Sequence, residues 1–74
     1  MINLDVALKA IKYFTYYLYN KWNLEEAHKL FGVSLGSHIY QKSFTTPYKL
    51  EWFANLDENC QKIILKRALE IYDT

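Results

Sequence analysis

Hydrophobic and polar residues follow the period of an α-helix over the first part of the chain. Residues 4–22, LDVALKAIKYFTYYLYNKW, contain neither Gly nor Pro and form the longest periodic segment. At about 100° per residue the main apolar stripe comprises Leu4, Leu8, Ile11, Thr15, Leu18 and Trp22. A weaker strip on nearly the opposite side comprises Val6, Ala10, Tyr13 and Tyr17. The pattern therefore predicts a long first helix that is covered on more than one side.

Four more helical segments are predicted after it, each preceded by a residue suited to capping a helix. Their bounds, with the N-cap in parentheses, are 24–31 (Asn23), 35–43 (Ser34), 47–55 (Thr46, before Pro47) and 58–72 (Asp57). Asn3 is the predicted N-cap of the first helix, and Gly32 ends the second because glycine tolerates positive φ. No segment alternates with period two. The sequence thus predicts an all-α bundle of about five helical segments, with long first and last helices and three short ones between.

The last predicted helix has an apolar stripe that suits the main stripe of the first helix. It consists of Cys60, Ile63, Ile64, Ala68 and Ile71, and we expect the two stripes to pack together. Arg67 interrupts this apolar face. Its aliphatic stem can pack at the core edge while the guanidinium reaches water or an acid such as Asp5 or Glu51; alternatively, it anchors an interface.

Composition and charge limit the class of protein. With 74 residues, the chain is expected to form one domain, residues 1–74. Hydrophobic residues make up 51% and aromatic residues 18% of the chain, which excludes a disordered protein. The net charge of +1 disfavours a nucleic-acid-binding domain. A single cysteine, Cys60, fits a reducing compartment, and neither a signal peptide nor a membrane-length apolar run is visible. We therefore expect a cytoplasmic protein.

The sequence contains no pattern typical of catalysis. It lacks a nucleophile motif, a phosphate-binding loop, HExxH and CxxC. His28, His38 and Cys60 have spacings that match no zinc site, and a structural zinc site normally needs four ligands. We therefore predict a protein that is not an enzyme, with no catalytic residue, cofactor, metal or small-molecule substrate.

The many aromatic residues instead favour a protein–protein interaction module. Tyr and Trp suit interfaces because they bury a large area and keep a polar tip. The predicted interface combines the weaker strip of the first helix with two leucines of the last: Val6, Ala10, Tyr13, Tyr17, Leu65 and Leu69. The partner is another protein or a second copy, since two-fold homodimers are the commonest oligomers. The alternative is that the Tyr rings lie half-buried at the rim of the bundle without a partner.

A second functional hypothesis is DNA binding through a degenerate helix-turn-helix at residues 23–43. The predicted nucleic-acid contacts are Ser37, His38, Gln41, Lys42 and Lys49. The register is poor, because His28 occupies the place of a small residue and His38 that of a branched apolar residue. A bulky His28 would force the two helices apart. A plain helix–Gly–helix connection explains the same residues.

Overall fold

The computed structural model describes residues 4–72, and all of the regular secondary structure in this range is helical. The elements are α1 (Leu4–Tyr16), a π-helical turn (Tyr17–Lys21), α2 (Leu24–Phe31), α3 (Val33–Thr45), α4 (Lys49–Ala54) and α5 (Glu58–Tyr72). No strand occurs among the described residues. The predicted all-α bundle of about five helices is therefore confirmed. Among the three middle helices, predicted to be short, only α2 and α4 are short, because α3 has 13 residues. The predicted cap Asn3 lies outside the described residues.

Two of the predicted N-caps are confirmed by their hydrogen bonds. Asn23 Oδ1 accepts from the backbone N–H of Glu26 at 2.8 Å. Asp57 Oδ1 accepts from the backbone N–H of Cys60, also at 2.8 Å. Each side chain thus satisfies an amide that has no partner within its helix.

The predicted starts of the third and fourth helices are wrong. α3 begins at Val33, before the expected cap Ser34, because Gly32 alone connects it to α2. α4 begins at Lys49 instead of Pro47. The reason is that α3 runs on to Thr45, so Pro47 lies in the bend between the helices.

Gly32 makes a connection of one residue between α2 and α3. Its φ is +86°, a conformation that favours glycine, as predicted for the residue that ends α2. The N–H of Gly32 donates to His28 O at 2.8 Å, and the N–H of Gly36 donates to Gly32 O at 2.9 Å. The chain therefore leaves one helix and enters the next without a loop.

The two helices joined by Gly32 approach each other closely at Gly36. A Cβ atom placed on Gly36 would lie 2.5 Å from Ala27 O and 2.7 Å from Ala27 C. Ala27 occupies the crossing point, so the clash expected of His28 in the register of a helix-turn-helix does not arise. His28 lies to one side, with Nε2 2.7 Å from Ser37 Oγ.

The core lies between the second half of α1, the π-helical turn and the other four helices. Its buried hydrophobic residues are Phe14, Tyr17, Leu18, Trp22, Ala27, Ile39, Trp52, Cys60, Ile64 and Ala68. The rings of Trp22 and Trp52 lie 5.2 Å apart at its centre. Trp22 Nε1 donates to Ser43 Oγ at 3.1 Å, and this hydroxyl donates to Tyr40 O at 2.6 Å. The core therefore buries its polar atoms here in a connected hydrogen-bond chain.

The main apolar stripe predicted for residues 4–22 is only partly buried, and a π-helical turn changes its register near the end. The N–H of Trp22 donates to Tyr17 O at 2.9 Å, an i to i−5 bond. One extra residue in a turn rotates everything after it by about 100° relative to a continuous α-helix. Leu18 and Trp22 of this stripe are buried, whereas Leu4, Leu8 and Ile11, which precede the turn, are 71%, 56% and 60% exposed. The expected packing of the whole stripe against α5 is therefore wrong.

The Asp57 cap predicts how stability responds to acid. Hydrogen bonding, chiefly from the Cys60 N–H, lowers the pKa of Asp57 below its ordinary value. The unfolded chain thus takes up this proton first as the pH falls. The stabilisation is present above about pH 4 and is lost as the pH drops through the lower folded-state pKa. We expect Asp57→Asn, which keeps an acceptor oxygen but cannot titrate, to make the free energy of unfolding fall less steeply as the pH is lowered. Urea unfolding at a series of pH values measures this dependence, and Glu51→Gln, at an exposed acid, should leave it unchanged.

Candidate interaction surface

The first two turns of α1 extend beyond the helix that packs against it. α5 runs antiparallel to α1, since Arg67 meets the Tyr17 region and Tyr72 stacks on Tyr13 with ring centroids 3.9 Å apart. Tyr72 is the last described residue of α5, so the described part of α5 reaches as far as Tyr13. Residues 4–12, here called the arm, lie past this point and are all exposed except Ala7, which is half-buried.

The arm carries large apolar side chains in a regular arrangement. Leu4, Leu8 and Ile11 are spaced by four and three residues, the spacing of a seam between paired helices. Val6, also largely exposed, lies on nearly the opposite side of the arm. These side chains have no cover among the described residues, and contiguous exposed apolar surface is typical of interaction sites.

The residues predicted for a protein interface have different environments. Val6 and Ala10 are exposed on the arm, and Leu65 and Leu69 are exposed on α5. Tyr13 is half-buried by its stack with Tyr72. Tyr17 is fully buried, so its placement on a surface strip is wrong. The structure therefore interrupts the predicted strip, and sequence reasoning missed Leu4, Leu8 and Ile11 because it assigned them to the core.

The hydroxyl group of the buried Tyr17 has a hydrogen-bond partner inside the bundle. It donates to Glu26 Oε1 at 3.1 Å, and Arg67 Nε donates to the same oxygen at 2.5 Å. Burial raises the pKa of Tyr17 above its ordinary value, and the negative charge of Glu26 adds to this. The hydrogen bond to Glu26 likewise raises the pKa of Arg67. The tyrosine is thus held neutral and the arginine charged.

The Tyr17–Glu26–Arg67 cluster joins three separate elements. Glu26 comes from α2, Arg67 from α5 and Tyr17 from the π-helical turn. The acid that pairs with Arg67 is therefore Glu26, and Glu70 Oε2 lies 3.6 Å from Arg67 Nη1. The sequence-based prediction of Asp5 or Glu51 as this partner is wrong. The side chains of Glu26 and Arg67 are only 13% and 25% exposed, so this pair stabilises the fold and is a poor candidate for contact with a partner.

The residues predicted to contact nucleic acid form a smaller set in the structure. His38, Gln41 and Lys42 are exposed on α3. Ser37 is half-buried against His28. Lys49 is half-buried, and its Nζ donates to Leu18 O at 2.7 Å. This bond removes Lys49 from the predicted phosphate contacts and leaves one cation on the exposed side of α3.

The connection between α2 and α3 also differs from a helix-turn-helix. That motif joins its helices by a turn of about three or four residues, whereas Gly32 is the whole connection here. The helices consequently cross at Ala27 and Gly36. The geometry fits the plain helix–Gly–helix connection better.

Comparisons with protein-family models, with curated proteins and with solved structures find no match for this chain. Within residues 4–72, no helix has the length and apolar character needed to cross a membrane. In the same residues, no three His, Cys, Asp or Glu side chains come together as a metal site would require.

Proposed function

We propose that the protein is a non-enzymatic interaction module that self-associates through its arm. The observation that carries this proposal is the exposure of Leu4, Leu8 and Ile11 on one side of two helical turns that extend past the end of α5. Burying apolar side chains that are exposed to water stabilises a complex by about 25 cal/mol per Å² of surface. A second copy supplies a matching surface.

The arm is suited to pairing with itself across a two-fold axis. In an antiparallel pair, Leu4 of one copy lies near Ile11 of the other, and the two Leu8 side chains meet near the axis. Asp5 and Lys12 lie on the same flank of this stripe, at opposite ends of it. Antiparallel pairing therefore brings the acid of one copy near the base of the other, which supports this orientation.

The size of the arm limits the strength of the dimer. A stable interface buries about 800 Å² per partner, roughly one-seventh of the 5486 Å² surface of this molecule. The arm spans only nine residues, so it supplies part of that area. We therefore expect a reversible dimer with a dissociation constant in the micromolar range.

Analytical ultracentrifugation over a range of micromolar concentrations tests the proposal. We expect the weight-average mass of the wild-type protein to rise toward that of a dimer. Leu8→Glu should keep the protein monomeric, because it places two carboxylates at the axis, and circular dichroism should show that the fold is retained. Leu65→Glu, the same change on α5, is the matched control and should still dimerise. A wild-type protein that stays monomeric throughout would refute self-association.

DNA binding through α3 is the second candidate function. Its support is that α3 contains no acidic residue and exposes His38, Gln41 and Lys42 on one element. The single cation predicts a salt dependence of only about one phosphate contact. Shifts of the α3 amide signals on adding duplex DNA at low salt would favour this role over the arm-mediated one, whereas unchanged signals would exclude it.

A further inference from the structure

A second exposed apolar surface lies on α1, on the side away from the apolar stripe of the arm. Val6 and Tyr13 are seven residues apart and Tyr16 follows three residues later, so all three face this side. The ring of Tyr13 stacks on that of Tyr72 with centroids 3.9 Å apart, and the Tyr16 ring meets Tyr72 edge-on at 5.4 Å. These ring contacts join the surface of α1 to the last described turn of α5.

The surface continues along α5 through two leucines. Tyr72, Leu69 and Leu65 are spaced by three and four residues, which places them on one side of the helix. Because α5 runs antiparallel to α1, this row continues in line with Val6 and Tyr13 beyond the tyrosine stack. The whole surface, here called the strip, consists of Val6, Tyr13, Tyr16, Leu65, Leu69 and Tyr72.

The strip has the exposure and the length of a helix-binding surface. Val6, Leu69 and Tyr16 are 61%, 50% and 42% exposed, whereas Tyr13 and Tyr72 are half-buried in the stack that joins the two halves. At a rise of about 1.5 Å per residue, each half is about 10 Å long and the strip about 20 Å. A helix of about 14 residues matches this length, and such helices bind through apolar side chains spaced by three and four residues.

The charged residues beside the α5 half of the strip leave one lysine in excess. Lys62 pairs with Glu58 at 3.4 Å, and Glu70 Oε2 lies 3.6 Å from Arg67 Nη1. Each of these two acids therefore faces a basic side chain of its own helix. Lys66 is exposed and forms no ion pair within residues 4–72, so its charge remains available to a partner.

The α1 half also carries more basic than acidic side chains. Lys9 borders the strip between Val6 and Tyr13, and Lys12 lies at its edge; both are exposed. Asp5 is the one acid of α1. Each half of the strip thus has a lysine in excess of its acids. Acidic side chains on a partner complement such a surface, and this complementarity favours association and selects the partner.

We propose that the strip binds an amphipathic helix of another protein, one whose apolar side is bordered by acidic residues. The apolar side chains of that helix cover Val6, Leu65 and Leu69, and its acids lie near Lys9 and Lys66. The self-association proposed above uses the other side of α1, so the two interactions are independent of each other.

An NMR titration with a pair of designed peptides tests this proposal. The probe is a peptide of about 14 residues, held helical by a side-chain staple, with leucines spaced by three and four residues and glutamates on both flanks. Its control has lysines in place of the glutamates. We expect the glutamate peptide to give saturable shifts of the amide signals of Tyr13, Tyr16 and residues 65–72, and the lysine peptide to bind at least about tenfold more weakly. Equal affinity of the two peptides, or no saturable shift with either, would overturn the proposal.

Substitutions on and off the strip locate the binding site. Leu69→Glu should weaken binding of the glutamate peptide by about tenfold or more, because it adds a like charge and removes apolar surface. Leu35→Glu, at a leucine of similar exposure on α3, is the matched control and should bind normally, as should Leu8→Glu on the arm. Circular dichroism should show that all three variants are folded. Normal binding by Leu69→Glu would contradict the proposal.

Two further measurements separate the role of charge from that of a second copy. Lys66→Gln should weaken binding roughly threefold, as expected for one exposed charge pair, whereas Lys29→Gln on α2 should leave it unchanged. Equal effects of the two substitutions would contradict the role of Lys66. If Leu69→Glu abolished self-association in ultracentrifugation, the strip would be a contact between copies of this chain, and the proposal of an acidic partner would be wrong.

Discussion

Replacing Gly36 with Ala is expected to destabilise the fold by about 1–3 kcal/mol, the range for an overpacked core. In an ordinary helix the same change stabilises by roughly 0.5–1 kcal/mol. The sign is reversed here because the new Cβ would lie 2.5 Å from Ala27 O and 2.9 Å from His28 N. Both are backbone atoms, so α2 and α3 must move apart instead of a side chain rotating away.

Thermal unfolding measures this effect against a control on the same helix. Ser34→Ala, two residues earlier and exposed, should be neutral or slightly stabilising, since Ala has the higher helix propensity. Gly36→Ala should lower the Tm by about 4–8 °C per kcal/mol lost in a domain of this size. If both variants unfold with the wild-type midpoint, the close approach of α2 and α3 is not essential to the fold.

Replacing Glu26 with Gln is expected to cost about 2–3 kcal/mol of unfolding free energy. The change keeps the shape of the side chain but removes the charge that faces Arg67 Nε at 2.5 Å and accepts from Tyr17. Breaking a fully buried ion pair costs about 3–5 kcal/mol because one charge is left unpaired. The value is smaller here because a quarter of the Arg67 side chain is exposed and keeps some hydration.

The neighbouring residue provides the control for this measurement. Glu25 is exposed on the same helix, so Glu25→Gln should change the free energy of unfolding by less than about 0.5 kcal/mol. Urea unfolding of the two variants separates the loss of the cluster from the loss of a negative charge on α2. Equal effects of the two substitutions would show that the Tyr17–Glu26–Arg67 cluster adds no stability.

The local features of this fold are those that the sequence predicts well. Asn23 and Asp57 cap their helices through bonds to amides three residues further on, so both partners lie within one short stretch of sequence. Gly32 ends α2 for an equally local reason, its tolerance of positive φ. The all-α class follows from the helical period of the apolar residues.

The environments of Tyr17 and Arg67 could not be predicted in this way. Their common partner Glu26 is nine residues from Tyr17 and 41 residues from Arg67. Nothing in the pattern of any one helix selects this acid over Asp5 or Glu51.

The first helix shows most clearly what each level determines. The sequence by itself determines that residues 4–22 are helical and carry apolar residues on more than one side. Only the tertiary structure decided which of these residues face water, for two physical reasons. The π-helical turn Tyr17–Lys21 changes the helical register before Trp22, and residues 4–12 lie past Tyr13, on which Tyr72, the last described residue of α5, stacks. Leu4, Leu8 and Ile11 are thereby left on an arm that nothing in the described chain covers.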